Sequence, residues 1–285
     1  MTSLGELTMN VFEQVAKATR EQILSRDDAL CGAAVGAWAV IQAEQLVQDV
    51  TRNVPRRSLP VCQPGCAWCC RGVRVDVGAP EALFVAAAIR EGVFGDAEPI
   101  GARVSDHATK VKGLGTREVS LLGLPCPLLD GNSGRCGIYA YRPIACRMLT
   151  SFNAKDCERA CRHPELDDDR VYTHGPTTGT CAAIMQGLAA GIDKAGLDSR
   201  ALEFTNALAI ALSRDDAGSV WRSGGHIFEP AVIVTDKEDA ETMQRTLDAV
   251  DDVGSRRFVP VQHGRPLTKN EAKRRRRELK RNRKP

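Results

Sequence analysis

The nine residues CQPGCAWCC, from Cys62 to Cys70, put four thiols into one short stretch, two of them adjacent. Ten of the eleven cysteines fall between Cys62 and Cys181, and Cys31 alone lies outside. A chain this crowded with sulfur uses it for disulfides, for redox chemistry or for metal ligation. The odd total argues against a fully paired disulfide set. The opening residues MTSLGELTMNVFEQ show no basic segment followed by an apolar run, so the reading expects a cytoplasmic setting, where thiols stay reduced. Metal or cluster ligation is then the leading explanation, because thiolates bind soft and borderline metals well.

The sulfurs must be carried on a core. Of the 285 residues 43% are apolar but only 5% aromatic, so packing rests on Ala, Leu, Val and Ile, and abundant Ala favours helix. Residues 4–52 read as two helices. Leu4, Leu7, Val11, Val15, Ala18 and Ile23 lie near helical spacing in the first. In the second, Leu30, Ala33, Ala34, Ala37, Trp38 and Ile41 are expected to form the buried face. The apolar stretch 29–41 is shorter than the roughly 20 residues a membrane span needs, so no span is expected.

GAPEALFVAAAIREGV reads as a helix, with Pro80 in its first turn, Glu81 at the positive N-terminus and Gly92 at the stop. Residues 101–112 read as another helix, REVSLLGLPCPLLD as extended chain and GNSGRCG as a turn. TGTCAAIMQGLAAGIDKAG and DSRALEFTNALAIALSRDDAG read as helices, the second with Ala201, Leu202, Phe204, Leu208, Ala211 and Leu212 on one face. PAVIVTDKEDAETMQRTLDAV predicts a short strand and then a helix capped near Thr235–Asp236.

The expected fold class is mainly α: a single helical domain with an inserted cysteine-rich metal-binding region and a basic C-terminal tail. Its expected divisions are an N-terminal helical segment (1–55), the cysteine-cluster region (60–165), a C-terminal helical segment packing on it (176–265) and the tail (266–285).

A helix beginning at Pro64 would carry Cys66, Cys69 and Cys70 at i, i+3 and i+4, on one face, with Cys62 just ahead of it. Adjacent Cys69 and Cys70 would then point about 100° apart, so one serves the metal and the other a second metal or the packing. A second group, Cys126, Cys136 and Cys146, recurs at equal intervals. Cys157 and Cys161 form a third, again one helical turn apart. Cys31 and Cys181 sit in apolar helices and read as core.

The order Cys62-x3-Cys66-x2-Cys69-Cys70, Cys126-Pro-Leu-Leu, then Cys136-x-Ile138-Tyr139-x-x-Arg142-Pro143-x-x-Cys146-Arg147 resembles the YkgJ-type CxxCxxCC family, described as zinc- or iron-chelating. The resemblance spans about residues 60–160, and its first gap is three residues where the family has two. Carried over residue by residue, it implies eight metal ligands: Cys62, Cys66, Cys69, Cys70, Cys126, Cys136, Cys146 and Cys157, with Cys161 as the substitute for the last. The family is similar to the cysteine-rich part of flagellin lysine N-methylase, which implies an iron–sulfur cluster and, as one alternative, a protein-modifying enzyme. Four thiolates serve a four-iron (4Fe-4S) cluster or a closed zinc site equally well by number. The chain lacks the two separated CxxC pairs of zinc ribbons, so the cluster is preferred and zinc is the alternative.

Arg142 and Arg147 flank Pro143 and Cys146, and are candidates for neutralising a thiolate-rich centre or binding a cofactor or substrate carboxylate, against a structural ion pair. Tyr139 is expected to pack beside the cysteines. Of the five histidines, His163 alone is a candidate extra ligand, against the preferred reading of a surface histidine, and no HExxH motif occurs. Phosphate-loop, GxGxxG and GxSxG motifs are missing. The last seventeen residues carry ten Lys or Arg and two Glu, so residues 269–284 are a candidate handle for nucleic acid, ribosomes or an acidic protein. No aromatic residues interleave them, so base stacking is not indicated.

Overall fold

In the computed structural model, residues 4–52, 54–166 and 171–233 are described. The basic tail and the helix expected near Thr235–Asp236 lie outside them. The described residues are mainly helical, with ten α-helices and one two-stranded antiparallel ribbon. No helix among them is long and apolar enough to cross a membrane.

Helix α1 (Leu4–Leu24) packs along α8 (Gly175–Lys194), and α2 (Cys31–Thr51) lies between α8 and α3 (Ala79–Arg90). Helix α4 (Ala97–Val111) packs on α9 (Phe204–Ser213), which also touches α3. Short α10 (Ala217–Arg222) closes the layer with Trp221, 1% exposed. The core is built from Val, Ile, Leu and Ala, as an aromatic-poor chain requires, and both Cys31 and Cys181 are fully buried in it.

The buried face of α2 differs from the expected one. It runs through Cys31, Gly32, Val35, Gly36, Ala39, Val40 and Ala43, while Leu30 and Ile41 are 63% and 52% exposed. The reason is close approach. A Cβ at Gly36 would run into the Pro80 carbonyl at the start of α3, and one at Gly32 would stand 2.5 Å from Leu83 Cδ1. Helices this close exclude side chains from their seam, so glycines stand where α3 approaches and Ile41 is left facing outward.

Helix α3 starts as expected. Pro80 occupies its first turn, and the Gly78 N–H donates to Glu81 Oε2 at 2.9 Å. Gly92, at φ +72°, follows its end. Three local expectations are corrected. Residues Thr116–Leu122 form helix α5 rather than extended chain, because the Gly115 N–H is taken by Glu118 and Gly123 ends the turn at φ +60°. The helix expected from Asp198 begins at Phe204; Leu202–Glu203 is strand β2, paired with β1 (Asp76–Val77). Glu203 is the helix cap, accepting from the N–H groups of Thr205 and Asn206. The strand expected at PAVIV reduces, within the described residues, to a bridge between Val232 and Leu202.

Candidate metal centre

The Cys62–Cys70 stretch is not the α-helix expected. Gly65 takes φ +94°, which a right-handed helix cannot hold, and the chain closes in short i→i−3 turns. Cys66 N–H donates to Gln63 O at 3.0 Å and Cys70 N–H to Ala67 O at 3.0 Å; only Trp68–Cys70 forms a 3-10 turn. Adjacent Cys69 and Cys70 both line the same cavity.

This loop is tied to the other cysteine segments by backbone bonds. Cys126 N–H donates to Cys70 O at 2.8 Å, and Gly72 N–H to Leu124 O at 2.9 Å. Gly72, at φ +69°, sits where a Cβ would stand 2.9 Å from the Ser120 carbonyl. Val61 N–H donates to Ser151 O at 2.8 Å, and the Ser151 N–H approaches Cys62 Sγ at 3.2 Å. The GNSGRCG segment is the expected turn. Asp130 accepts from Asn132 N–H at 3.1 Å and Ser133 N–H at 2.6 Å, and Leu129 pairs with Cys136. That pairing folds Cys136 back beside Cys126. Cys146 comes from helix α6 (Ile144–Met148), which packs on α8.

Seven sulfurs line one cavity of about 110 Å³ that opens to solvent. Cys62, Cys66, Cys69 and Cys70 come from the loop; Cys126, Cys136 and Cys146 come from the hairpin and α6. Cys157 is on helix α7 (Ala154–Arg162), which packs against the Trp68–Cys70 turn, and does not line the cavity. It lies within electrostatic reach of Cys66 and Cys69, and Cys161 within reach of Cys69. All eleven cysteines are free thiols.

The sulfurs fall into two groups by their mutual influence. Cys69, Cys126, Cys136 and Cys146 act on one another, and Cys62 and Cys157 each feel Cys66 and Cys69. Burial lifts the Cys126 thiol to about 11, with Cys136 and Cys69 adding to it. Burial pushes Cys146 well up, reinforced by Cys126, Cys136 and Cys69. Cys69 is raised first by its bond with the Cys70 thiol and then by burial. A metal that binds here must displace these protons, as thiolate ligation always requires.

The two arginines are placed differently. Arg142 lines the cavity with its guanidinium 4.0 Å above the Tyr139 ring, and its Nε is buried without a hydrogen-bond partner among the described residues. Its positive charge reaches Cys69, Cys136 and Cys146. Arg147 points away from the cavity: it pairs with Glu44 of α2 and donates to Ala140 O at 2.8 Å. His163 lies 3.5 Å from Glu165 and does not line the cavity. Sequence reading missed three lining residues, His107, Glu203 and Thr205. His107 is far in the chain from Glu203 and Thr205 and none belongs to a cysteine motif; the α4–α9 contact brings them together.

The donor set suits a thiophilic metal, and the orphaned Arg142 Nε is a donor without an acceptor beside it. Among the described residues no three His, Cys, Asp or Glu side chains stand as a ready-made site for a metal ion. The sulfurs line a wall rather than meet at a point.

Residues 61–165 match the model of the CxxCxxCC family, described as a zinc- or iron-chelating domain. No curated protein and no solved structure matches the chain.

Proposed function

Taking residues 61–165 as a zinc- or iron-chelating CxxCxxCC domain, we propose that its cysteine cavity holds a four-iron iron–sulfur cluster. Cys69, Cys126, Cys136 and Cys146 are the inner donors; Cys62, Cys66, Cys70 and Cys157 make up a second group around them. The observation that carries this reading is the cavity itself, about 110 Å³ walled by seven sulfurs. A lone tetrahedral ion fills the centre of four touching thiolates and needs no such space. A cluster spans its ligands, so sulfurs spread over a wall suit it better.

Arg142 fits the same reading. A cluster on four thiolates is anionic and presents sulfur acceptors, and the Arg142 guanidinium, whose buried Nε has no hydrogen-bond partner among the described residues, supplies charge and an N–H donor at that place. When bound, the cluster supplies one-electron redox chemistry. The chain's own part is to gather four thiolates, keep bulk water off the deeper sulfurs and offset their charge through Arg142. A reducing, cytoplasmic setting suits eleven free thiols.

The test is the visible spectrum of the full chain purified without oxygen. Broad absorbance that bleaches with dithionite is expected. A colourless protein with stoichiometric zinc would replace the cluster by a structural zinc clasp.

A further inference from the structure

Part of the cavity wall carries no sulfur. His107 from α4 and Glu203 and Thr205 from the start of α9 line it beside Val73, Val75 and Phe204. The three polar groups form a chain. The Thr205 hydroxyl lies 2.8 Å from Glu203 Oε2 and 3.2 Å from His107 Nδ1. Glu203 also accepts from Thr205 N–H at 3.1 Å, from Asn206 N–H at 2.8 Å and from Asn206 Nδ2 at 2.6 Å.

Proton bookkeeping fixes the imidazole. A carboxylate only accepts, so Thr205 gives its single hydroxyl proton to Glu203. The Thr205 oxygen then accepts from the ring, and His107 carries its proton on Nδ1. Burial lowers the His107 pKa, which favours the neutral ring. In that tautomer the free lone pair is on Nε2. The Glu203 cap alone would explain the Thr205 and Asn206 bonds, but it does not explain why a histidine from another helix is held against that hydroxyl at the edge of a cavity.

We propose that this wall binds a small, mainly apolar molecule carrying one hydroxyl or N–H donor, which it gives to His107 Nε2. Thr205 and Glu203 are positioning residues that hold the ring in its acceptor form. Val73, Val75 and Phe204 give the molecule an apolar bed on the part of the wall that carries no sulfur. The argument uses His107, Thr205, Glu203 and the apolar wall, and holds for iron or zinc alike.

The experiment titrates the metal-loaded full chain with phenol and with toluene, which match in size and differ by the hydroxyl, with metal content measured on every sample. Phenol is expected to bind about tenfold more tightly, the worth of one well-made buried hydrogen bond. In His107→Phe the two should come within about twofold at unchanged metal content. Equal affinities in the parent protein, binding by neither, or a phenol preference that survives His107→Phe would each overturn the proposal. Nitrogen-15 NMR of labelled histidine adds a second reading. His107 should be the Nδ1–H tautomer and should lose that bias in Thr205→Val; an Nε2–H ring in the parent protein would contradict it. A zinc-loaded, colourless sample that still prefers phenol would sink the cluster and support this site.

Discussion

The Glu81 carboxylate accepts the backbone N–H of Ile144 at 2.9 Å, joining the start of α3 to the start of α6 across 63 positions of sequence. Its second oxygen takes the Gly78 N–H, and the side chain is 1% exposed. Helix α6 carries Cys146, so a buried carboxylate in the helical core sets where an inner sulfur stands. Glu81→Ala would leave two backbone donors unpaired, at a cost of about 3 kcal/mol. Urea midpoints at constant m should fall accordingly, and metal retention should fall with them. Glu81→Gln, which keeps an acceptor, should recover part of both.

The inner and core cysteines should separate in metal content. Cys126→Ser and Cys146→Ser are expected to lose most bound metal. Cys31→Ala should keep it while losing about 1 kcal/mol of stability, the mark of a small hydrophobe removed from a packed core. Elemental analysis of the purified variants decides this; loss of metal from Cys31→Ala would show that Cys31 is more than packing.

Arg142 and Arg147 should part company as well. Arg147→Met breaks the tie to Glu44, whose side chain is 48% exposed, so about 1–2 kcal/mol is expected with metal stoichiometry kept. Arg142→Met should leave the urea midpoint near that of the parent and change the centre, read as a shifted reduction potential or weaker metal retention. The reverse pattern would exchange their roles.

His174 gives a pH dependence. It is 6% exposed, with Nδ1 2.8 Å from the Thr177 hydroxyl, and burial lowers its pKa below 6.5. Above about pH 6.5 the ring is neutral folded or unfolded. Below that the unfolded chain takes a proton that folded His174 resists, so stability falls as pH drops from about 6.5 toward its lowered value and levels off beneath it. His107, lowered by burial too, adds to the same slope. Urea midpoints measured from pH 7.5 to 5 should decline, and His174→Gln should flatten part of the decline; an unchanged slope would rule His174 out.

Much of this was legible in the sequence because it is local. Pro80, Glu81 and Gly92 mark α3 by the chemistry of helix ends, and the glycine-rich turn marks the return from Cys126 to Cys136. Features set by distant neighbours were hidden. The buried face of α2 is chosen by how closely α3 approaches Gly32 and Gly36, which hydropathy does not record. Gly65 at positive φ breaks a stretch whose cysteine spacing is helical. His107 meets Thr205 across 98 positions, with no motif to join them. Arg142 and Arg147 look equivalent beside Cys146, and only the packing of α6 turns one into the cavity and the other to Glu44.

The most direct measurement is iron, acid-labile sulfide and zinc per chain in protein purified without oxygen, with Cys146→Ser alongside. The account predicts about four iron and four sulfide per chain, as a four-iron cluster requires, and their loss in Cys146→Ser. One zinc per chain without sulfide, or iron retained in full by Cys146→Ser, would contradict it.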